Sequence, residues 1–370
     1  MNLNFDYGAD MQTEGDLIVW PKEGENTCLL DGDLLPYRIG FIVKEMDKLA
    51  AEARVMQGEY QSISETPEFL YYANIMCQNL NRIVSSARCD SLEVFMTDSG
   101  KNFRLDLAFS DPYKGTRNPV KPPFFYELRK YLLEKQSANL SDGNEADDQL
   151  SIEAWRRARE FCEENDIECG SDAHKAFAKY VVASSDKDLM QVVGWHIVMD
   201  ADEQWHLVWV DKVGWLEPRY KKDGSMKDLK GAGLLFFYAQ IIMGDSTDNY
   251  KGLPLKGCKA AYEALNGLTE EKDMYTTVLA MFKEKFGNAY PCQNYRGTEA
   301  YRQKYMDVHG VNPPDHAEFI GAARVMTAYE MMLEQGRLAY MQTRPDEIWR
   351  ADKSPIIWGG KRELWEKSGS

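Results

Sequence analysis

Short apolar runs that alternate with stretches of helical spacing constrain the fold of this chain more than any other feature. The runs occupy residues 27–30, 92–96, 180–184 and 195–199, with 206–210 as a hairpin partner of the last run. The helical stretches occupy residues 36–55, 66–87 and 124–134, a segment that begins near 145, and most of the chain from 234 onward. Strands that alternate with helices predict an α/β fold, with a central, largely parallel mixed sheet flanked by helices.

The charge of the chain is unevenly distributed. Its 370 residues carry a net charge of −15, which argues against a protein that simply coats DNA. Residues 101–135 nevertheless contain eight basic and four acidic residues, a local charge of +4, and residues 212–230 contain six and three, a local charge of +3. An acidic chain with local basic segments suits an enzyme that concentrates carboxylates around metal ions.

The cysteines and the hydropathy pattern indicate a cellular compartment. Seven cysteines are scattered without a Cys-x-x-Cys pair, which favours reduced thiols over a disulfide framework or a zinc site. The longest apolar run is interrupted by Gln240 and is too short to cross a membrane. The first six residues lack the basic region of a signal peptide. We therefore expect a cytoplasmic protein without a membrane segment.

Acidic residues directly follow the predicted strands. Asp31 and Asp98 follow the first two apolar runs, and Asp186 and Asp188 follow the third. Ligands of open α/β sheets bind beyond the carboxyl ends of the strands, so these side chains are expected to converge. Two further acidic groups lie in the first turn of a helix and ahead of a glycine-rich turn. The full candidate set is Asp31, Asp98, Glu145, Asp147, Asp148, Asp186, Asp188, Asp245 and Asp248.

So many carboxylates in one crevice would repel each other and raise their pKa values unless cations neutralised them. Oxygen-rich sites suit Mg²⁺ or Mn²⁺. Two such ions roughly 4 Å apart can cleave a phosphodiester, because one activates water and the other stabilises the leaving oxygen. No histidine or cysteine stands at metal-ligand spacing near these residues, which weighs against zinc. The pattern therefore predicts a two-metal site.

A possible phosphate-binding hairpin follows the last two carboxylates. Gly252, Pro254 and Gly257 suit a tight turn between two helices. Such a turn offers backbone N–H groups and the positive end of a helix dipole to an anion, and DNA phosphate is the obvious candidate. Lys256 and Lys259 add positive charge to the same turn.

The order of these motifs resembles the 5′-nuclease family, which includes flap endonucleases, the 5′-nuclease domains of bacterial DNA polymerases and phage exonucleases. The resemblance covers about residues 27–262, is most like phage replication exonucleases, and extends weakly into a similar tail at 328–349. The segment 113–117, Tyr-Lys-Gly-Thr-Arg, resembles the basic gateway of the family. The hairpin departs from the usual Gly-x-Pro-Gly-Ile-Gly, because Leu255 and Lys256 occupy its fourth and fifth positions.

This resemblance implies roles for individual residues. The carboxylate set would bind two Mg²⁺ or Mn²⁺ ions, directly or through water. Lys114 and Arg117 would be catalytic and would contact the scissile phosphodiester, while Arg104 and Tyr113 would contact DNA beneath an arch at about 101–142, Tyr113 by stacking on a terminal base or sugar. The hairpin, through Gly252, Lys256, Gly257 and Lys259, would grip the duplex as a helix-hairpin-helix, with K⁺ as a further possible ligand.

The resemblance also implies an activity and partners. The expected activity is 5′→3′ exonuclease action on duplex DNA with a free 5′ end or 5′ flap, with flap cleavage and RNA–DNA hybrids as further possibilities. A replication polymerase or a single-strand-binding protein would be a natural partner. A phage protein of this kind would act as a monomer in the host cytoplasm, in DNA replication, recombination or primer removal.

The predicted organisation has four parts: an irregular lead-in at 1–26, a nuclease core at 27–243 that includes the arch, a helix-hairpin-helix region at 244–300, and a helical C-terminal extension at 301–370. Two other functions remain open. Asp31 with Asp33 also resembles the start of a haloacid-dehalogenase-type phosphatase, in which Asp31 would be the nucleophile. A branched-DNA-binding protein without catalysis is the other alternative. A trapped phosphoenzyme would identify the first, and binding without cleavage in Mg²⁺ the second.

Overall fold

The computed structural model describes residues 26–98, 102–117, 120–141, 143–199, 205–312 and 323–350. The predicted lead-in at 1–26, apart from Asn26, and the end of the predicted C-terminal extension at 351–370 lie outside these residues.

A six-stranded sheet forms the centre of the molecule. Its strands are β1 (Thr27–Asp31), β2 (Ser91–Met96), β3 (Asn139–Leu140), β4 (Tyr180–Ala183), β5 (Gly194–Met199) and β6 (Trp205–Val210). Their order across the sheet is β3-β2-β1-β4-β5-β6. Every neighbouring pair is parallel except β5 and β6, which form an antiparallel hairpin. The predicted α/β class with a largely parallel mixed sheet is therefore confirmed.

Two small antiparallel sheets lie outside the central sheet. One pairs β7 (Trp215–Tyr220) with β8 (Met226–Ala232), and the other pairs β9 (Tyr290–Gln293) with β10 (Ala323–Met326). The sequence predicted none of these four strands. The α-helices are α1 (Leu34–Gly40), α2 (Glu45–Met56), α3 (Pro67–Ser86), α4 (Phe103–Leu107), α5 (Phe125–Lys135), α6 (Ala146–Asn165), α7 (Asp172–Phe177), α8 (Gly233–Met243), α9 (Cys258–Leu265), α10 (Glu271–Phe286), α11 (Glu299–His309) and α12 (Ala328–Ala339).

Local sequence signals account for several of these boundaries. Helix α3 begins where Thr66 accepts a hydrogen bond from the N–H of Phe69, with Pro67 at the first helical position. The single helix predicted at 36–55 is wrong, because the chain forms α1 and α2 with a break after Gly40. A Cβ at Gly40 would lie 2.7 Å from the Pro122 ring, so this glycine permits the close contact at which α1 ends.

The alternating side chains of β1 pack two cores against the two faces of the sheet. Cys28 and Leu30 lie in the core that includes residues of α3, and Leu29 lies in the core that includes residues of α6. A third core surrounds α8, which is buried at ten of its eleven residues. A helix that is apolar on all sides needs cover on all sides, and α8 contacts β7, β8, α9, α10 and α12.

The C-terminal residues of the described chain are part of this third core. Trp349 is buried and lies so close to α12 that a Cβ at Gly336 would be 2.3 Å from its ring. Helix α12 also contacts α8 and α10. Among the described residues, no helix is both long and apolar enough to cross a membrane.

Candidate metal centre

Asp31 stands at the end of the central strand and is buried. Its Oδ1 accepts the N–H of Asp33 (3.1 Å), and its Oδ2 accepts the hydroxyl of Ser184, just after β4 (3.1 Å). Burial, with the charges of Asp33 and Asp186 acting in the same direction, raises the pKa of Asp31 to about 7. Gly32 makes this geometry possible, because a Cβ there would lie 2.5 Å from Val94.

Asp186 and Asp188 follow β4, where the chain enters the short 3₁₀ helix Lys187–Gln191. The Asp186 side chain caps that helix by accepting the N–H of Asp188 (2.9 Å). Burial raises the pKa of both carboxyls, and it raises that of Asp188 well above its usual range with help from the charges of Asp186 and Asp248. The amide of Gln240, on α8, donates to Oδ1 of Asp188.

The start of α6 carries three more candidates. Glu145 is the N-cap residue, and one carboxylate oxygen from each of Glu145, Asp147 and Asp148 lies within 4.8 Å of the others, a group that could hold a metal ion. Burial, with Glu145 and Asp148 adding to it, raises the pKa of Asp147 well above its usual range. Asp148 has no exposed surface, and both of its oxygens bind the guanidinium of Arg104. This pairing leaves Asp148 poorly placed for direct contact with a metal.

Asp245 and Asp248 lie in the turn after α8. Oδ1 of Asp245 accepts the N–H of Thr247 (2.6 Å), and its Oδ2 lies 2.6 Å from Nζ of Lys187. Burial acts in the opposite direction, but Lys187 lowers the pKa of Asp245. Asp248 accepts the hydroxyl of Tyr113 (2.7 Å) and lies 2.6 Å from Nη2 of Arg117.

These groups form one connected cluster. The Tyr113 hydroxyl bridges Glu145 (3.0 Å) and Asp248 (2.7 Å), so it joins the start of α6 to the turn after α8. Asp248 also raises the pKa of Asp186 and Asp188, which joins that turn to the end of β4. Asp98 is the exception, because its side chain is exposed and its backbone N–H donates to the Ser141 hydroxyl (3.1 Å).

The two residues predicted to be catalytic lie directly on this cluster. Nζ of Lys114 binds Glu145 and lies 4.0 Å from Asp248 Oδ2. Lys114 has a positive φ of 54°, and its backbone N–H donates to the carbonyl of Asp248 (2.8 Å). Burial opposes it, but Lys114 and Arg104 lower the pKa of Glu145. The basic gateway is thus held against the carboxylates by backbone as well as side-chain contacts.

The donor set fits hard divalent cations. All the clustered candidates are carboxylates, and burial raises the pKa values of Asp31, Asp147, Asp186 and Asp188 by more than the cations of the chain lower them. Mg²⁺ and Mn²⁺ prefer oxygen ligands and would compensate the negative charge of these carboxylates.

The structure corrects the expected surface roles of Arg104 and Tyr113. Arg104 has no exposed surface, because its guanidinium binds Asp148 and the backbone carbonyls of Leu338 (3.1 Å) and Tyr340 (2.6 Å). Tyr113 is 4% exposed, with its hydroxyl directed at the carboxylates. Neither side chain is placed to contact DNA or to stack on a base.

The hairpin divides into a buried base and an exposed tip. Gly252 (φ 64°) touches Gly244 so closely that a Cβ on it would lie 2.4 Å from the Gly244 nitrogen. The N–H of Gly252 donates to Oε1 of Gln335 (2.8 Å), so it is not free for a phosphate, contrary to expectation.

The tip of the hairpin is exposed. Leu255 is 97% exposed, Lys256 and Lys259 are exposed, and Gly257 is the N-cap residue of α9. The predicted K⁺ ligand stays a prediction.

The sequence interpretation missed several residues around the cluster. Lys187 pairs with Asp245, and Arg129 binds Asp33, which also accepts the backbone N–H of Thr97. Gln191 and Gln240 reach the cluster through buried amide groups. A signal for Gln240 was available, because one amide stands inside an otherwise apolar helix.

Comparisons with known proteins give a likeness in fold to one class of enzyme. A scan against models of known protein families and a search of curated proteins found no match. Solved structures described as 5′-exonuclease or flap endonuclease are similar in fold.

These structures come from bacteriophage T5. T5 5′-exonuclease with bound zinc ions is 14% identical at a TM-score of 0.41, over 85% of this chain and 89% of that chain. A T5 flap endonuclease complex with DNA and metal ions is 13% identical at a TM-score of 0.41, over 85% and 88%. A lysine-to-alanine mutant of T5 5′-exonuclease is 12% identical at a TM-score of 0.39, over 85% and 88%. Because these identities and scores are low, the function proposed below rests on the residues of the site.

Proposed function

We propose that this chain is a divalent-metal-dependent nuclease that hydrolyses phosphodiester bonds from the 5′ ends of duplex DNA. The observation that carries the proposal is the convergence of carboxylates from β1, β4, α6 and the turn after α8, with Lys114 and Arg117 in contact with them. A metal-binding crevice with two cations beside it suits an anionic phosphodiester substrate.

Mg²⁺ or Mn²⁺ is the proposed cofactor. Asp31, Asp186 and Asp188 would bind one of the two metal ions. Asp147 and Glu145, on the other side of the crevice, would bind the other. A pair of such ions, when bound, activates a water molecule and stabilises the leaving oxygen. Asp148, held by Arg104, would orient the start of α6.

Lys114 and Arg117 would hold the scissile phosphate. In the protein alone they bind Glu145 and Asp248, and their side chains are 17% and 47% exposed. Once metal ions neutralise these carboxylates, the ammonium and guanidinium groups can turn to phosphate oxygens. There they would stabilise negative charge that develops in the transition state.

The hairpin tip would bind the duplex. Lys256 and Lys259 are exposed beside the N-terminus of α9, where positive charge and backbone N–H groups favour phosphate oxygens. Such contacts are independent of base sequence. The tip would therefore bind duplex DNA while the metal centre acts on the 5′ end.

The decisive experiment compares nucleic-acid substrates that differ in their 5′ ends, their strand chemistry or their topology. A 5′-labelled duplex, a matched 5′ flap, an RNA–DNA hybrid and a covalently closed circle are incubated with Mg²⁺, Mn²⁺ or EDTA. We expect release of labelled products from the linear substrates in either metal, resistance of the circle, and no cleavage in EDTA. The ratio of products from the flap to products from the blunt end shows whether flap cleavage or exonuclease action is the stronger activity.

Other results would exclude the proposal in distinct ways. Full cleavage in EDTA would exclude metal catalysis, and rapid attack on closed circles would exclude 5′-end specificity. Tight duplex binding without cleavage in Mg²⁺ would indicate a DNA-binding protein. A phosphoenzyme trapped on Asp31 would indicate a phosphatase.

A further inference from the structure

A segment near the end of the described chain is hydrogen-bonded to residues around the candidate metal centre. Helix α12 ends at Ala339, and the strap, which we define as residues 338–342, continues from its last turn. The final carbonyl groups of a helix have no partner within the helix and must find one elsewhere. Here the partners are two side chains that also serve the carboxylate cluster, Arg104 and Gln191.

The first connection runs through Arg104. Its guanidinium donates to the carbonyls of Leu338 (3.1 Å) and Tyr340 (2.6 Å) and binds both oxygens of Asp148. A cation at the C-terminal end of a helix is also favoured by the helix dipole. Arg104 therefore caps α12 and holds Asp148 with the same planar group.

The second connection runs through two buried glutamines. The N–H of Met341 donates to Oε1 of Gln191 (3.2 Å), and Nε2 of Gln191 donates to the carbonyl of Ala339 (2.7 Å). The same Nε2 donates to Oε1 of Gln240 (2.7 Å). Nε2 of Gln240 then donates to Oδ1 of Asp188.

The strap fixes the direction of this relay. A backbone N–H can only donate and a backbone carbonyl can only accept, so Met341 and Ala339 determine which way the Gln191 amide points. Gln191 then offers an N–H to Gln240, so the oxygen of Gln240 faces Gln191. The NH₂ group of Gln240 must therefore face Asp188, and reversing it would set two donors against each other.

We propose that the strap positions the metal ligands, and that Gln191 and Gln240 are positioning residues for Asp188. Burial of the glutamines and Asp188 makes a flip or a loss of contact costly, because water is excluded from the relay. The hydrogen bond from Gln240 to Oδ1 would thereby fix the orientation of the Asp188 carboxylate for a cation. The inference rests on the proposed metal-dependent function.

The test is the affinity for Mn²⁺ without DNA, measured by loss of the electron paramagnetic resonance signal of the free ion. Gln240→Met keeps the length of the side chain but removes the donor. Partners of this kind typically contribute 10- to 100-fold to metal affinity, so we expect the dissociation constant to rise by about that factor. Gln191→Met should have a smaller effect, because Gln240 can still donate but is no longer oriented.

The double variant identifies a relay. Residues that act in series are not additive, so the Gln191→Met and Gln240→Met double variant should bind Mn²⁺ as weakly as Gln240→Met alone. Gln303→Met is the matched control. Gln303, on α11, also donates from its amide to a carboxylate, Oδ1 of Asp307 (2.8 Å), but outside the cluster, so its replacement should leave Mn²⁺ affinity unchanged.

Failure of this inference differs from failure of the proposed function. A wild-type chain that binds no Mn²⁺ would overturn both. A wild-type chain that binds Mn²⁺ while Gln240→Met binds it equally well would overturn the positioning role alone. If Gln240→Met does not fold, Gln191→Met decides, and wild-type affinity in that folded variant would overturn the relay.

Discussion

The carboxylates of the metal centre fall into two halves that the chain treats differently. The strand-end carboxylates, Asp31, Asp186 and Asp188, receive hydrogen bonds from a hydroxyl, backbone N–H groups and an amide, and burial raises their pKa values. The paired carboxylates, Glu145, Asp245 and Asp248, each bind a lysine or arginine. Thus one half requires charge from outside the chain, and the other already has it.

This difference suggests a division of labour. Neutral donors orient the strand-end carboxylates without supplying positive charge, so a metal ion gains the most there. The cations of the paired half lie on long side chains that can change partner when a phosphate arrives. The strand ends therefore suit metal binding without a change of partner, whereas in the paired half a lysine or arginine would leave its carboxylate for the substrate.

The largest expected effect comes from removing a strand-end carboxylate. Asp31→Ala or Asp186→Ala should lower cleavage by roughly 10³-fold or more, since metal ligation is lost. DNA binding should persist or tighten, because less negative charge then repels phosphate. Single-turnover cleavage and equilibrium binding of the same duplex measure both.

The matched control is Asp166→Asn, an exposed carboxylate in a left-handed conformation that asparagine also adopts. It should keep wild-type cleavage. Loss of DNA binding together with cleavage in Asp186→Ala would point to misfolding rather than to a metal role.

The next effect concerns the cations of the paired half. Lys114→Ala or Arg117→Ala should lower the single-turnover rate by about tenfold to a thousandfold, the range for losing one donor to a developing charge. Duplex affinity should fall far less, because the hairpin remains. Lys130→Ala, on the exposed face of α5, is the control. Wild-type cleavage rates in both variants would show that Lys114 and Arg117 have no role in the reaction.

A smaller effect should appear in the pH dependence of stability without metal. The folded pKa of Asp31 is about 7, above its ordinary value of 3.8, so the folded chain holds this proton more tightly than the unfolded chain. Stability should therefore fall as pH rises through 7. Between pH 6 and pH 8 this carboxyl alone should remove about 1 kcal/mol from the free energy of unfolding.

Urea unfolding of the wild type and of Asp31→Asn in EDTA isolates this contribution. The stability of the variant minus that of the wild type should be larger at pH 8 than at pH 6 by about 1 kcal/mol. If the stability difference between Asp31→Asn and the wild type does not change with pH, Asp31 belongs with the paired half.

The smallest effect concerns the hairpin tip. Lys256→Ala or Lys259→Ala should weaken duplex binding and reduce the salt slope by roughly one unit if each lysine makes one phosphate contact. The single-turnover rate at saturating enzyme should change little. Lys222→Ala, at the tip of the β7–β8 hairpin, is the comparison variant. If the salt slope is reduced only in Lys222→Ala, the duplex is bound by the β7–β8 hairpin.

Local patterns were sufficient to predict five of the six strands of the central sheet, all except β3, and the gathering of most of the carboxylates at its edge. Asp31, Asp186 and Asp188 follow strands whose apolar residues are adjacent in sequence, so their place at the sheet edge follows from the parallel topology alone. The family resemblance implied a catalytic role for Lys114, but its contact with Glu145 was not predicted. The strands and the acidic residues at their ends could be predicted without knowing any contact between residues that are distant in sequence.

The remaining features depend on contacts that local sequence does not encode. The family resemblance implied that Arg104 contacts DNA, yet its partners include Leu338 and Tyr340, more than 230 residues away in sequence. Strand β7 contains Pro218, which argues against a strand unless the strand is at an edge, as it is in this two-stranded sheet.

The attachment of the strap has a consequence for the order of folding. Asp148 and Asp188 lie about 150 to 190 residues ahead of Met341 and Gln342. A ribosome produces the chain from its N-terminus, so every candidate ligand emerges before the segment that orients two of them. We expect a nascent chain that ends before residue 338 to contain all the candidate ligands but to leave Asp148 and Asp188 without the contacts that orient them. Nuclease activity would then appear only after synthesis has passed the closing contact of Trp349 on Gly336.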